Sequence, residues 1–254
     1  MNIGFILQAR IGSSRLKGKV LMKVDQEKTV IESVISQLKF SKKVKKIIVA
    51  TTNKKEDEQI IEKIKEQGVE IFCGNENDVL DRYFQCAKKF TLTAIVRITC
   101  DNPLIDPIIV DNAVEKFESG NFDCVTNVRP RTFPEGTEVE IFSFNALKKA
   151  FFEANSKSER EHVTPYIKNK LKNIRKKEIS YKKNLSHIRL TIDEKEDYEL
   201  AKNIFEKFKS KEIIYLKNIT KILENNPEFI KINSKYKRNE GYKKSLNHDK
   251  KIRD

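Results

Sequence analysis

The feature that most constrains this chain is the alternation of short apolar runs with amphipathic segments over its first 128 residues. Residues 2–8, Lys46–Thr52, 69–73, 94–99 and 123–128 read as strands, the second of them rich in β-branched side chains. Between them lie segments of helical spacing. Residues 30–40 carry Val30, Ile31, Val34, Ile35 and Leu38, and residues 56–67 carry an Ile60, Ile61, Ile64 stripe ended by Gly68. Residues 78–90 form a third helix, with Asn77 as its expected cap, and residues 106–118 a fourth, with Pro107 in its first turn. Strand and helix taking turns predict an α/β fold, a Rossmann-like three-layer α/β/α arrangement around a mainly parallel sheet. Such sheets bind ligands beyond the carboxyl ends of their strands, so the loops that follow strands are where chemistry is sought.

The second half is less regular. Residues 137–142 (TEVEIF) alternate polar and apolar side chains and predict a half-exposed strand. Residues 145–154 and 159–171 predict helices, and 177–181 and 187–192 strands of an antiparallel extension. Helices follow over 193–208 and 217–225. From Pro227 the chain is basic and weakly periodic, and is expected to wrap over the surface or fray. This divides it into a main domain, 1–230, and a basic tail, 231–254, which holds nine Lys/Arg against three Asp/Glu of a formal net charge of +14 overall. That balance points to anionic partners. The four cysteines are widely spaced, which argues against a zinc site or a disulfide framework; Cys73 and Cys124 read as small buried hydrophobes. No signal peptide and no apolar run long enough for a membrane span stand out, so a reducing cytoplasm is the expected setting.

The loop after the first strand, QARIGSSRLKGKVL, places Arg10, Arg15, Lys17 and Lys19 among Gly12, Gly18, Ser13 and Ser14. Glycines admit backbone N–H groups close to a phosphate, and the cations neutralise it. The loop is neither a P-loop nor a dinucleotide fingerprint. Its pattern Q-A-R-x-G-S-x-R-L-x-G-K-V-L resembles the opening of the cytidylyltransferase family that includes the CMP-Kdo and CMP-sialic acid synthetases, and most closely their SpsF-like branch of spore-coat polysaccharide synthesis. Lys17 stands where that branch usually has Pro.

Two further runs carry the resemblance. R-x-T-x-D-x-P-L-x-D-P covers Arg97 to Pro107, and R-L-T-x-D-x-x-E-D covers Arg189 to Asp197. Taken alone, Asp101 before Asn102-Pro103 builds an Asx turn, and Asp193 with Glu196 three residues on makes a capping box. The resemblance implies instead that Asp101 and Asp193 hold a divalent metal, Mg2+, as the cofactor of nucleotidyl transfer; Cys100 replaces the usual Gly before the first. Asp106 reads as a helix cap. The family implies a nucleotide-diphospho-sugar transferase type of fold, CTP as donor, and Arg10, Arg15, Lys19 and Asp101 as the catalytic group. Nucleotide contacts are expected from Gln8, Ala9, Arg10, Gly12, Ser13, Arg15, Lys19, Thr51, Asn53, Arg97 and Thr99.

The acceptor side is expected in TFPEGTEVEIF and EREHVTPYI. The first places Glu138 and Glu140 on one strand face, with Arg129 and Arg131 before them; Glu138 stands where relatives carry Asp. The second offers Glu161 and His162 at a helix start. RNEGYKKSL in the tail also resembles the branch. The expected partners are CTP and an anionic, sugar-like small molecule in a homodimer, with no nucleic acid and no membrane insertion. A glycosyltransferase would show D-x-D at a strand end, and a nucleic-acid binder would place aromatics among its cations, where this tail offers only Tyr236 and Tyr242 and the chain has no Trp. The retained aspartates and basic loop argue against a non-catalytic relict.

Overall fold

The computed structural model describes residues 1–209 and 212–251. Its strands are β1 (Ile3–Gln8), β2 (Lys46–Thr52), β3 (Glu70–Gly74), β4 (Ala94–Thr99), β5 (Cys124–Thr126), β6 (Glu140–Ser143) and β7 (Lys176–Glu178). They form one sheet in the order β3-β2-β1-β4-β6-β5-β7. β6 runs antiparallel to both of its neighbours, and the other pairings are parallel. The helices of the first half, α1 (Val30–Leu38), α2 (Glu58–Ile64), α3 (Val79–Lys89) and α4 (Pro107–Gly120), fall in the crossovers. Then come α5 (Phe144–Glu153), α6 (Lys157–His162), α7 (Pro165–Asn169), α8 (Lys195–Phe205), α9 (Leu216–Asn225), α10 (Glu228–Ile232) and α11 (Glu240–Lys251).

Alternation along the strands divides the core between the two faces of the sheet. Phe5, Leu7, Val49, Val96 and Ile98 join α1, α2, α4, α8 and α9 on one side. Ile6, Ile48, Ala50 and Ile95 join α3, α5 and α7 on the other. This is the three-layer arrangement the alternation predicts. The Cys124 side chain is buried within it, whereas Cys73, on the edge strand β3, is exposed and not the buried hydrophobe expected.

Several boundaries differ from expectation. The helix expected over 56–67 is α2 between two 3-10 turns, Lys55–Asp57 and Lys65–Gln67, and Gly68 ends it in the left-handed region, φ 62°. Asp78, not Asn77, caps α3: its carboxylate accepts from the Asp81 N–H at 2.9 Å. The single helix expected over 159–171 is broken into α6 and α7. Pro165 has no N–H with which to continue α6, and Val163 reverses the chain at φ 67°. Residues 137–142 do not form a half-exposed strand. β6 starts only at Glu140, and its first three residues are buried because it lies between β4 and β5.

Residues 187–192 form no strand of the sheet. They run beside the TFPEG turn through a single bridge, Glu135 to Arg189, with backbone bonds from Leu190 N to Glu135 O (2.7 Å) and from Glu135 N to Ile188 O (3.0 Å). Gly136 makes the approach possible. It has φ 98°, and a Cβ there would lie 2.5 Å from the Thr191 nitrogen. The same segment then reaches the end of β4, where Ile192 N donates to Asp101 O at 2.8 Å.

Candidate active site

The first loop is built on a buried carboxylate. Asp57 accepts from the Ile11 N–H at 2.7 Å and from the Thr52 hydroxyl, which ties the loop to the end of β2. Gly18, at φ 71°, returns its N–H to Ile11 O at 3.0 Å and leads into the 3-10 turn Lys19–Leu21. Lys19 thereby points inward and is almost wholly buried. Its ammonium makes three hydrogen bonds, to Asp101 Oδ2 (2.8 Å), Asp193 Oδ1 (2.7 Å) and Ile192 O (2.8 Å). Burial works against both charges. The two carboxylates nevertheless raise the Lys19 pKa above its ordinary value, and Lys19 holds Asp101 below the usual carboxylate range.

Asp193 is available because it is not the cap of α8. Glu194 is the N-cap and Asp197 the third residue of its capping box, one position later than the sequence suggests. Asp197 Oδ2 accepts from the N–H groups of Asp193 and Glu194, at 3.0 and 2.9 Å. The Asp193 carboxylate is left facing Arg15 (2.7 Å), Lys19 and Arg189 (3.4 Å). Arg189 in turn holds Asp197 through two bonds of 2.8 Å and Glu135 at 2.7 Å.

A second polar chain crosses the sheet. Arg97 donates to Gln8 Oε1 at 3.1 Å and to Glu140 Oε2 at 2.8 Å, its partner in the β4–β6 register. Glu140 also accepts from Lys168 and from the Thr164 hydroxyl. Its burial opposes ionisation, but the two cations prevail and lower its pKa to about 2.

These groups open on one cleft of about 440 Å3 at the carboxyl edge of the sheet. Of the expected nucleotide residues, Gln8, Ala9, Arg10, Ser13, Arg15, Lys19, Arg97 and Thr99 line it; Asp101, Asp193, Arg129, Arg131, Glu138, Glu140, Glu161 and His162 do so as well. Gly12, Thr51 and Asn53 do not. Thr51 is buried in the sheet and Asn53 faces solvent. Glu138 and Glu140 do not share a strand face, since Glu138 precedes β6 and its carboxylate takes the Gly136 N–H (2.6 Å) and Arg238. His162 bonds Ser245 at 3.1 Å, and burial with Arg97 and Lys168 nearby lowers its pKa to about 4, against the opposing pull of Glu161.

The cleft also contains Arg82, Glu135, Lys168, Arg189 and residues 239–242 and 244, none of which the sequence assigned. Arg189 and Glu135 stand inside RLTIDEKED and TFPEG, so a signal for them existed. Lys168 lies in no run that marks it.

Two carboxylates aimed at one ammonium form a hard, anionic donor pair of the kind Mg2+ uses together with water and substrate phosphates. Among the described residues no group of three or more His, Cys, Asp or Glu could enclose a metal by itself.

A family model described as cytidylyltransferase matches residues 4–232. The protein MJ1063 of Methanocaldococcus jannaschii is 41% identical over 237 residues, 92% of this chain and 95% of that one. The spore coat polysaccharide biosynthesis protein SpsF of Bacillus subtilis is 30% identical over 235 residues, 89% of this chain and 96% of its own. A solved cytidylyltransferase from Leptospira borgpetersenii superposes with a TM-score of 0.85 at 36% identity, covering 91% of this chain and 97% of that structure.

Proposed function

Because the chain belongs to the cytidylyltransferase family, and is thus a nucleotidyltransferase, we propose that it moves CMP from CTP to an anionic, sugar-like acceptor, with release of pyrophosphate, for surface-glycan synthesis. The observation that carries this reading is the meeting of Asp101, Asp193 and the first loop in one cleft.

Arg10, Arg15 and Lys19 receive the triphosphate against the loop backbone. Asp101 and Asp193 would hold Mg2+, which would supply neutralisation of phosphate charge. A hydroxyl of the acceptor, or an acidic oxygen, attacks the α-phosphorus in line, the bond to the bridging oxygen breaks, and pyrophosphate departs. Positioning and charge neutralisation supply most of the rate. An attacking oxygen that is already ionised needs no general base. His162, with its pKa lowered to about 4, is neutral near pH 7 and orders the wall of the cleft.

No helix among the described residues is long and apolar enough to cross a membrane, and we place the reaction in the cytoplasm. We also propose a homodimer; sedimentation at micromolar concentration is expected to give twice the mass of one chain, and a monomer mass would sink that assignment. The main test is thermal stability with ATP, CTP, GTP and UTP, each with and without Mg2+. CTP at 100 times its Kd is expected to stabilise by about 2.7 kcal/mol in a Mg2+-dependent way. A shift with another nucleotide instead of CTP overturns the donor, and no shift with any overturns the reading.

A further inference from the structure

Three residues that the sequence placed on the acceptor, Glu138, Glu161 and His162, are occupied by the chain's own C-terminal segment. Arg238 pairs with Glu138 and donates to Phe133 O at 3.0 Å. The Asn239 N–H bonds Glu135 at 3.2 Å. Ser245 donates to Glu161 at 2.8 Å and bonds His162 at 3.1 Å, while the Tyr242 ring meets the His162 ring edge-on with centroids 5.1 Å apart. Asp249 accepts from the Ser158 N–H at 3.2 Å, at the start of α6. Asn239, Glu240, Gly241, Tyr242 and Lys244 consequently face the cleft.

The charges of the cleft are unevenly satisfied. Asp101, Asp193, Glu135, Glu138 and Glu140 are each held by a Lys or Arg. Glu161 is held by Ser245, and Glu240 accepts from the Lys237 N–H. Arg15, Lys19, Arg97, Lys168 and Arg189 are the cations so used. Arg10, Arg82, Arg129, Arg131 and Lys244 also line the cleft, and among the described residues none of them has an ion-pair partner; Arg82 donates to Asn75 O at 3.0 Å and Arg129 to Asn169 Oδ1 at 3.4 Å, so both are held by neutral groups. Arg10 belongs to the triphosphate loop. Arg131, between β5 and β6, and Lys244, on α11, are left over. Cations without a counter-charge that line one concave surface attract an anion.

We propose that α11 forms a wall of the acceptor subsite, and that Lys244 and Arg131 bind the anionic group of the acceptor. This inference rests on the cytidylyltransferase reading and adds a recognition element to it. A carboxylate and a phosphate monoester share the required chemistry.

The test uses the full chain with CTP, Mg2+ and two probes, the sugar acid 3-deoxy-manno-octulosonate and the sugar-alcohol phosphate ribitol 5-phosphate. Pyrophosphate release is measured for the wild type, Lys244→Ala, Arg131→Ala and the double variant. CTP-induced thermal stabilisation is measured alongside. The wild type is expected to use one probe, which identifies the anion. Each single variant is expected to raise the KM for that probe at least tenfold, with kcat changed less than threefold and the CTP shift retained. An unchanged KM with the CTP shift intact overturns the role of Lys244 and Arg131. Failure of the wild type to use either probe while it still binds CTP overturns the anionic subsite. Loss of the CTP response in the wild type strikes the cytidylyltransferase reading instead. A variant that has lost its fold is recognised by its melting temperature without ligand, and the KM of Lys244→Gln then decides the role of Lys244 in its place.

Discussion

Lys19 concentrates the chemistry of this site in one side chain. Its three N–H groups are all committed, to two carboxylates and a carbonyl. Lys19→Met leaves Asp101 and Asp193 facing each other without that cation. The variant is expected to lose up to about 3 kcal/mol of stability in metal-free buffer, less than a fully buried pair because both carboxylates retain some solvent contact. Added Mg2+ is expected to restore part of that loss, and denaturant titration with and without Mg2+ checks it. Asp101→Asn is expected to abolish the Mg2+ dependence of CTP binding, read by calorimetry.

Glu140 gives the pH dependence a sign. Its folded pKa, about 2, lies below the ordinary value of 4.5. The native state therefore gains stability from this group above pH 4.5 and loses it as pH falls towards 2. Glu140→Gln is expected to cost roughly 3 kcal/mol at pH 7, with the gap to wild type narrowing below pH 4.5. Equal costs at pH 7 and pH 3 would contradict this.

At the scale of elements, α8 matters most, because its cap and the active site share residues. Asp197 holds two N–H groups of the first turn and also the Arg189 guanidinium, and Asn233, just beyond α10, donates to it at 2.8 Å. Asp197→Asn leaves Arg189 buried beside a neutral amide. It is expected to destabilise by about 3–5 kcal/mol, measured by chemical denaturation, and to displace Asp193 from Lys19. The sequence placed this cap at Asp193 because Asp followed by Glu three residues on is a good capping box. Glu194 with Asp197 satisfies the same rule one residue later, and only the packing of α8 chooses between the two registers.

At the scale of the whole molecule, the proposed function assigns the basic balance to small anionic ligands. A chain of +14 that carried nucleic acid would show salt-dependent affinity for random sequence. No gel shift with random oligonucleotides is expected at about 0.15 M salt, and a shift surviving that ionic strength would revive the nucleic-acid reading.

Much of this molecule was already written in the order of its residues. The parallel half, β1 to β4 with its helices, followed from periodicity alone, because every buried strand and every amphipathic helix there is continuous in sequence. The basic loop after β1 marked the carboxyl edge for the same local reason, whereas Asp101 and Asp193 were singled out by the family resemblance, since their local patterns alone read as an Asx turn and a capping box. Other features needed distant segments to meet. β6 is buried because it enters between β4 and β5, which its alternating pattern does not reveal. Asp193 is a cleft residue because Gly136 lets residues 190–191 approach, bringing Ile192 onto Asp101. Glu138, Glu161 and His162 are held by a tail about 80–100 positions away, a pairing that no local pattern encodes. Local chemistry thus determined the layers and the basic loop at the carboxyl edge of the sheet. The tertiary structure decided which charges are neutralised within the chain and which are left for a ligand, because that depends on distances between segments that the sequence keeps far apart.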